Sequence, residues 1–272
     1  MLGATRVLAG ERFVTLSPHL GELVCAAGAC SGLIGTVEHS DWPPQVASLP
    51  RVGNAFAVNS EAVLALKPTL VLSWDGGTPI ATVDQLRRLG LRVEPIRART
   101  LDDIGAALRH VGTLTHTEQT ANVAAKAYED RIAALRTRYA TATPIKVMYQ
   151  LEAEPMFTIN RDSPISEAIK LCGGQNIFAD QPRLAGAVSR EAVIARDPDV
   201  IVFGIQDDVA GIRARWSRVP SVRAVRTGNL IAVDADTLAR ATPRMVQGVE
   251  ALCTALDEAR VRLTNASSAP AR

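Results

Sequence analysis

The stretch Glu61–Trp74 reads EAVLALKPTLVLSW, and 130 positions later Glu191–Gly204 reads EAVIARDPDVIVFG. Five of the fourteen positions are identical, and the closing half of each copy is apolar. An internal repeat constrains a fold more than any single motif, because one local structure has to satisfy both copies. A period of 130 exceeds the roughly 20–50 residues of a solenoid unit and suits two copies of a domain.

Each copy reads as a short helix followed by a buried strand. Asn59 and Ser189 stand at equivalent places as N-caps. Lys67-Pro68 and Asp197-Pro198 stop the helices, since proline disfavours helical geometry in the residue before it. TLVLSW and DVIVFG are then nearly continuous apolar runs of strand length, as expected of parallel strands covered on both faces.

The same alternation runs through the chain. RFVTL, LIGTVE, TLVLSW and LRVEPI alternate with helical patterns in the first half, and IKVMYQ, MFTI, DVIVFG and NLIAVD do so in the second. Between them Thr117 to Ala140 holds no Gly or Pro, which predicts a stiff helix of about 36 Å. The fold class expected is α/β: two Rossmann-like lobes with parallel sheets joined by one long bridging helix. The boundaries are an N-terminal lobe over 1–114, a bridge over 115–142, a C-terminal lobe over 143–263 and a disordered tail over 264–272.

Composition narrows the function. With 47% apolar and 21% charged residues the chain has material for a core, and no apolar run approaches the roughly 20 residues of a membrane span. A net charge of +2 argues against nucleic acid, so Arg87-Arg88 and Arg213, Arg215, Arg218 read as solvated helix faces. The opening MLGATRVLAGERFVTL shows no secretory signal, as expected of a chain that begins near a mature N-terminus.

The motifs of phosphate loops, serine hydrolases, zinc proteases and C-x-x-C redox sites are missing, and Gly173-Gly174 reads as a helix stop. The four histidines are His19, His39, His110 and His116; the second lobe has none, so a zinc cage of several histidines drawn from both lobes cannot be assembled and no metal site is expected. The cysteines form a local pair, Cys25 and Cys30, and a distant pair, Cys172 and Cys253. On the residues alone, buried thiols and disulfides both stay open; a Cys172–Cys253 bridge would place the chain in an oxidising compartment. A left-handed Gly28 would bring Cys30 back towards Cys25, with two free thiols the expected state there and a bridge the alternative.

Open α/β sheets bind ligands outside their strand ends. Those loops carry Ser17-Pro18-His19, His39-Ser40-Asp41-Trp42 and Trp74-Asp75-Gly76-Gly77 in the first lobe, and Asp234 to Arg240 in the second. Aromatic, imidazole, carboxylate and guanidinium groups together suit a large ligand with a flat apolar body and amide or phosphate edges, held between the lobes.

SPHLGELVCAAG, HSDWPPQ, EAVLALKPTLVLSWDGG, LCGGQNIF, VSREAVIARDPDVIV and ARATPR, in that order from about Arg12 to Leu256, resemble the periplasmic vitamin B12 (cobalamin) binding proteins of ABC import systems, which belong to the helix-bridged (class III) substrate-binding proteins. The resemblance implies a Cys172–Cys253 disulfide. It implies ligand positions at His39, Trp74 and the segment Asp236, Thr237, Leu238, Ala239, Arg240; with His19 and Trp42 from the strand-end loops and Phe56 at the replaced tryptophan, these make up the expected ligand set. His39 stands where the family has tyrosine, Ala55-Phe56 where it has tryptophan, and small residues near Ala185 where it has an aromatic. An imidazole at His39 could reach the cobalt, although hydrogen bonding or stacking is the expected role.

The resemblance also implies that Glu61 and Glu191 dock on arginines of a two-fold membrane transporter. The first-turn position of these glutamates alone implies only a favourable charge at a helix start. The function expected is therefore a monomeric periplasmic receptor, not an enzyme, with no cofactor. It takes cobalamin or a related corrinoid as cargo and the permease subunits of an ABC importer as partners. The alternatives are a haem or ferric-siderophore receptor of the same fold, or an enzyme or metal chaperone on the same scaffold.

Overall fold

In the computed structural model, residues 11–268 are described. They divide into two compact units, one of residues 11–98 with Asp103–Lys126, the other of Arg99–Asp102 with residues 127–268.

The first unit is built on strands β1 (Phe13–Thr15), β2 (Leu33–Gly35), β3 (Leu70–Trp74) and β4 (Val93–Ile96), all parallel in the order β2-β1-β3-β4. Its helices are α1 (Pro18–Ala26), α2 (Pro44–Ala47), α3 (Ser60–Ala65), α4 (Ile80–Arg88) and most of α5 (Leu101–Thr115). Val14, Leu16, Val63, Val71, Val83, Leu86 and Val93 close its core. The helix α6 (Glu118–Tyr139) is divided between the units at Lys126.

The second unit repeats the plan. Its strands are β5 (Ile145–Gln150), β6 (Glu152–Ala153), β7 (Met156–Ile159), β8 (Gly174–Asn176), β9 (Ala185–Ala187), β10 (Val200–Gly204) and β11 (Leu230–Val233). Its further helices are α7 (Pro164–Leu171), α8 (Arg190–Arg196), α9 (Val209–Ser217), α10 (Arg223–Arg226), α11 (Ala235–Leu238) and α12 (Met245–Ser268). Four strands make a parallel sheet ordered β8-β5-β10-β11, which is the order of the first unit with each strand in its counterpart's place.

The repeated phrase falls on α3–β3 and α8–β10. Asn59 and Ser189 each accept a hydrogen bond from the backbone N–H three residues on, at 3.1 and 3.2 Å. Val63 and Val193 are both fully buried, and Lys67 and Asp197 both turn into positive φ (50° and 42°) ahead of their prolines. The strands that follow are buried on both faces, which is why they read as unbroken apolar runs.

MFTI departs from the expected alternation. It forms β7 in a separate antiparallel sheet ordered β6-β7-β9, while the parallel position it was expected to fill belongs to β8. The last helix runs to Ser268, so 264–268 is helical rather than disordered, and 269–272 lie outside the described residues.

In the second unit α6 buries a stripe of Tyr128, Ile132, Leu135 and Tyr139, at helical spacing. Arg131 pairs with Glu250 at 2.7 Å, and Arg136 reaches Asp102 at 2.8 Å and Glu167 at 3.1 Å. No helix among the described residues is long and apolar enough to cross a membrane.

Both cysteine pairs are bridged. Cys172, at the end of α7, joins Cys253 of α12 with Cα atoms 4.8 Å apart. Cys25 and Cys30 are also joined, against the expectation of free thiols: Gly28 adopts φ +91°, which folds the chain after α1 back on itself.

Candidate functional site

In a parallel sheet ordered 2-1-3-4 the chain changes direction between strands 1 and 3, and the loops leaving those strands part to open a crevice. In the first unit this is where β1 leads to His19 and β3 ends on Trp74. The two rings meet edge to face with centroids 5.3 Å apart, and Ser17 Oγ lies 2.7 Å from His19 Nδ1. Gly77 lies on the Trp74 ring: a Cβ there would come within 1.8 Å of Cε3, so the aromatic platform requires glycine. The Trp74 backbone N–H donates to Thr78 Oγ1 at 2.9 Å, which tightens the same turn.

His39 and Trp42 share the loop after β2. His39 is exposed with φ 63°, and Trp42 is 44% exposed. A buried chain of hydroxyls supports the loop from below: Thr15 Oγ1 and Thr36 Oγ1 are 2.9 Å apart, and Thr36 donates to Ser40 Oγ at 2.8 Å. Arg51 supports it from the side. Its Nη2 donates to Ser40 O at 2.8 Å and Ala47 O at 3.0 Å, and its Nη1 to Val37 O at 3.3 Å and Val46 O at 3.4 Å. One guanidinium thus ties both ends of the loop to α2.

Phe56 tips the neighbouring turn, 70% exposed, where Asn54 Oδ1 accepts from the N–H groups of Phe56 and Ala57 at 3.0 and 2.9 Å. The two turns are linked, since Glu38 N–H donates to Gly53 O at 2.8 Å.

In the second unit the strand ends carry a polar array. Gln206 Nε2 donates to Asp234 Oδ1 at 2.8 Å, and its Oε1 accepts from Ala235 N–H at 3.1 Å. Partial burial opposes ionisation of Asp234, but hydrogen bonds from Gln206, the Asp236 backbone and Thr237 outweigh it and hold the carboxyl below its ordinary range. Arg240 reaches across one turn to Asp236 at 2.8 Å. Asp236 and Arg240 are therefore together, with Thr237 half-buried beside them and Ala239 exposed. Leu238 has to be withdrawn from the ligand-facing set. It is 0% exposed, because α11 turns it into the core while its backbone packs on Gly248 of α12.

Glu61 and Glu191 are exposed in the first turns of α3 and α8. The Glu191 carboxyl is held below its usual range by a backbone N–H and by Ser189. Among the described residues no three His, Cys, Asp or Glu side chains gather as metal ligands. Sequence reasoning missed Arg51 and Gln206 as builders of the site, and named Asp234 only as the start of a strand-end loop. Its role as the N-cap of α11 is the signal that could have singled it out, an aspartate just ahead of a helical turn.

Residues 24–237 match the family model described as periplasmic binding protein. The chain is 36% identical over 246 residues to the vitamin B12-binding protein of Vibrio cholerae serotype O1, covering 90% of this chain and 89% of that one. The crystal structure of the periplasmic vitamin B12 binding protein BtuF of Vibrio cholerae superposes with a TM-score of 0.86 at 35% identity, over 92% of this chain and 98% of that one. The periplasmic heme-binding protein RhuT from Roseiflexus sp. RS-1 superposes with a TM-score of 0.82 at 26% identity, over 92% and 99%. With two parallel-sheet α/β units of one topology and a match over most of its length, this chain belongs to the periplasmic binding protein family.

Proposed function

We propose that this protein is the periplasmic receptor of an ABC importer and that its cargo is cobalamin or a related corrinoid, bound without chemical change. The observation that carries the reading is the likeness to a vitamin B12-binding protein over nine-tenths of the chain, at 36% identity. The site chemistry agrees. The Trp74–His19 pair, Trp42 and Phe56 offer aromatic faces for a macrocycle, while Asp236, Arg240 and Thr237 offer donors and acceptors for its amide-bearing edge. His39 meets the ligand by hydrogen bonding or stacking.

Glu61 and Glu191 are the docking carboxylates for transporter arginines, which can grip a carboxylate with two parallel hydrogen bonds. Capture needs no catalytic group and no cofactor, and one chain suffices for one ligand.

A second reading, a haem receptor, draws support from the superposition on RhuT, but at lower identity. A melting curve separates the two. A ligand that binds only the folded chain at a hundredfold excess over its Kd stabilises it by about 2.7 kcal/mol. Saturating cyanocobalamin or cobinamide raises Tm and haemin does not; a shift with haemin alone assigns the second reading.

A further inference from the structure

A small open pocket lies within the second unit, at the end of β5 and beside α8 and α9, and none of residues 234–240 lines it. Its floor is apolar: Trp216 and Ile212 are buried members of the unit's core, and Met156 packs on the same cluster. Its polar lining consists of Gln150, Arg190 and Arg215, without a carboxylate.

Gln150 is 3% exposed, and its Oε1 accepts from Trp216 Nε1–H at 2.8 Å. An indole N–H is only a donor, so this bond fixes which way the amide faces and leaves the NH2 as the remaining polar end of Gln150. Arg190 is exposed at the mouth, and Arg215 forms an ion pair with the exposed Glu154 at 3.7 Å, long enough to leave its guanidinium further N–H donors. The pocket therefore offers three donor groups over an apolar floor. Such a lining accepts an oxygen carried on a short alkyl arm.

We propose that this pocket is a subsite for the carboxyl-derived end, carboxylate or primary amide, of a short alkyl arm of the ligand, read by Arg190, Arg215 and Gln150. The proposal rests on the receptor reading above, since corrinoids carry amide-ended arms and haem carries carboxylate-ended ones. Charge-assisted hydrogen bonds are roughly twice as strong as neutral ones, so the subsite favours the carboxylate form.

The test has two arms. In the first, the 15N indole resonance of Trp216, assigned by its loss in Trp216→Phe, is followed while sodium propionate, propionamide or propylammonium chloride is added to wild type and to Arg190→Gln. Propionate and propionamide shift the resonance in wild type, propylammonium does not, and Arg190→Gln weakens the propionate response by about tenfold. Equal responses to all three, or to both proteins, overturn the subsite.

In the second arm cyanocobalamin and its separated monocarboxylate isomers are titrated into the same two proteins. At least one isomer binds wild type more tightly than cyanocobalamin, and Arg190→Gln abolishes that preference while still binding corrinoid. Corrinoid binding with no preference in either protein rejects the subsite alone. A propionate response without any corrinoid binding keeps the subsite and rejects the corrinoid receptor.

Discussion

The two disulfides close loops of very different length, and this fixes how unequally they stabilise the fold. Cys172 and Cys253 are 81 positions apart, for which the chain-entropy relation gives about 4.5 kcal/mol at 25 °C. For the separation of 5 between Cys25 and Cys30 the same relation gives about 2 kcal/mol. Both long-range cysteines are fully buried in the second unit, so replacing them with alanine also removes packed sulfur and does not lessen the loss. At roughly 2–4 °C per kcal/mol for a domain of this size, Cys172→Ala/Cys253→Ala lowers the Tm of the second unit by about 9–18 °C. Cys25→Ala/Cys30→Ala costs less than half as much. Circular dichroism melts of the two double variants, with Trp216 fluorescence as the reporter of the second unit, measure the difference. A smaller loss at the 172–253 pair than at the 25–30 pair refutes the loop-entropy argument.

Three further outcomes follow from named contacts. Glu61→Ala, Glu191→Ala and the double variant keep wild-type corrinoid affinity but lose transporter-dependent uptake, most in the double; full uptake by the double variant leaves only a helix-capping role. Arg51→Ala frees the His39–Trp42 loop, lowers corrinoid affinity by about tenfold and changes Trp42 emission, and Arg51→Lys does not rescue it because an ammonium cannot reach both ends of the loop. Asp234 has its folded-state pKa depressed, so its stabilisation is present above the unfolded value near about 3.9 and lost as pH falls through the lower folded value. Melts of wild type and Asp234→Asn therefore differ at pH 7 and converge in strong acid; a gap that widens in acid contradicts the sign.

Much of the fold was legible because its signals are local. The phrase at 61–74 and 191–204 carries a cap, a buried valine, a proline stop and a strand buried on both faces, and each shows in the letters. The strands that escaped notice lack such signals: β8 reads GQN and β9 reads AGA, with no apolar run or alternation. TNASS looks like tail, yet α12 carries on through it because its preceding turns are already packed on the second unit.

The site was legible as loops rather than as contacts. Ser17 to His19 and Trp74 to Gly77 sit at strand ends, where a parallel sheet opens, but their ring contact arises from the sheet order. Leu238 lay inside a contiguous ligand segment, and only the turn of α11 reveals that it faces the core. Arg51 left no trace, since a cation held by four carbonyls has no partner that a sequence pattern can show.

Direct titration of the purified chain by calorimetry and absorbance, with cyanocobalamin, cobinamide and haemin in separate runs, tests the receptor assignment most directly. The account predicts one corrinoid bound per chain, with affinity reduced by Arg240→Ala and by Trp74→Ala, and no saturable haemin binding. Saturable haemin binding with no heat or spectral change from either corrinoid would contradict it.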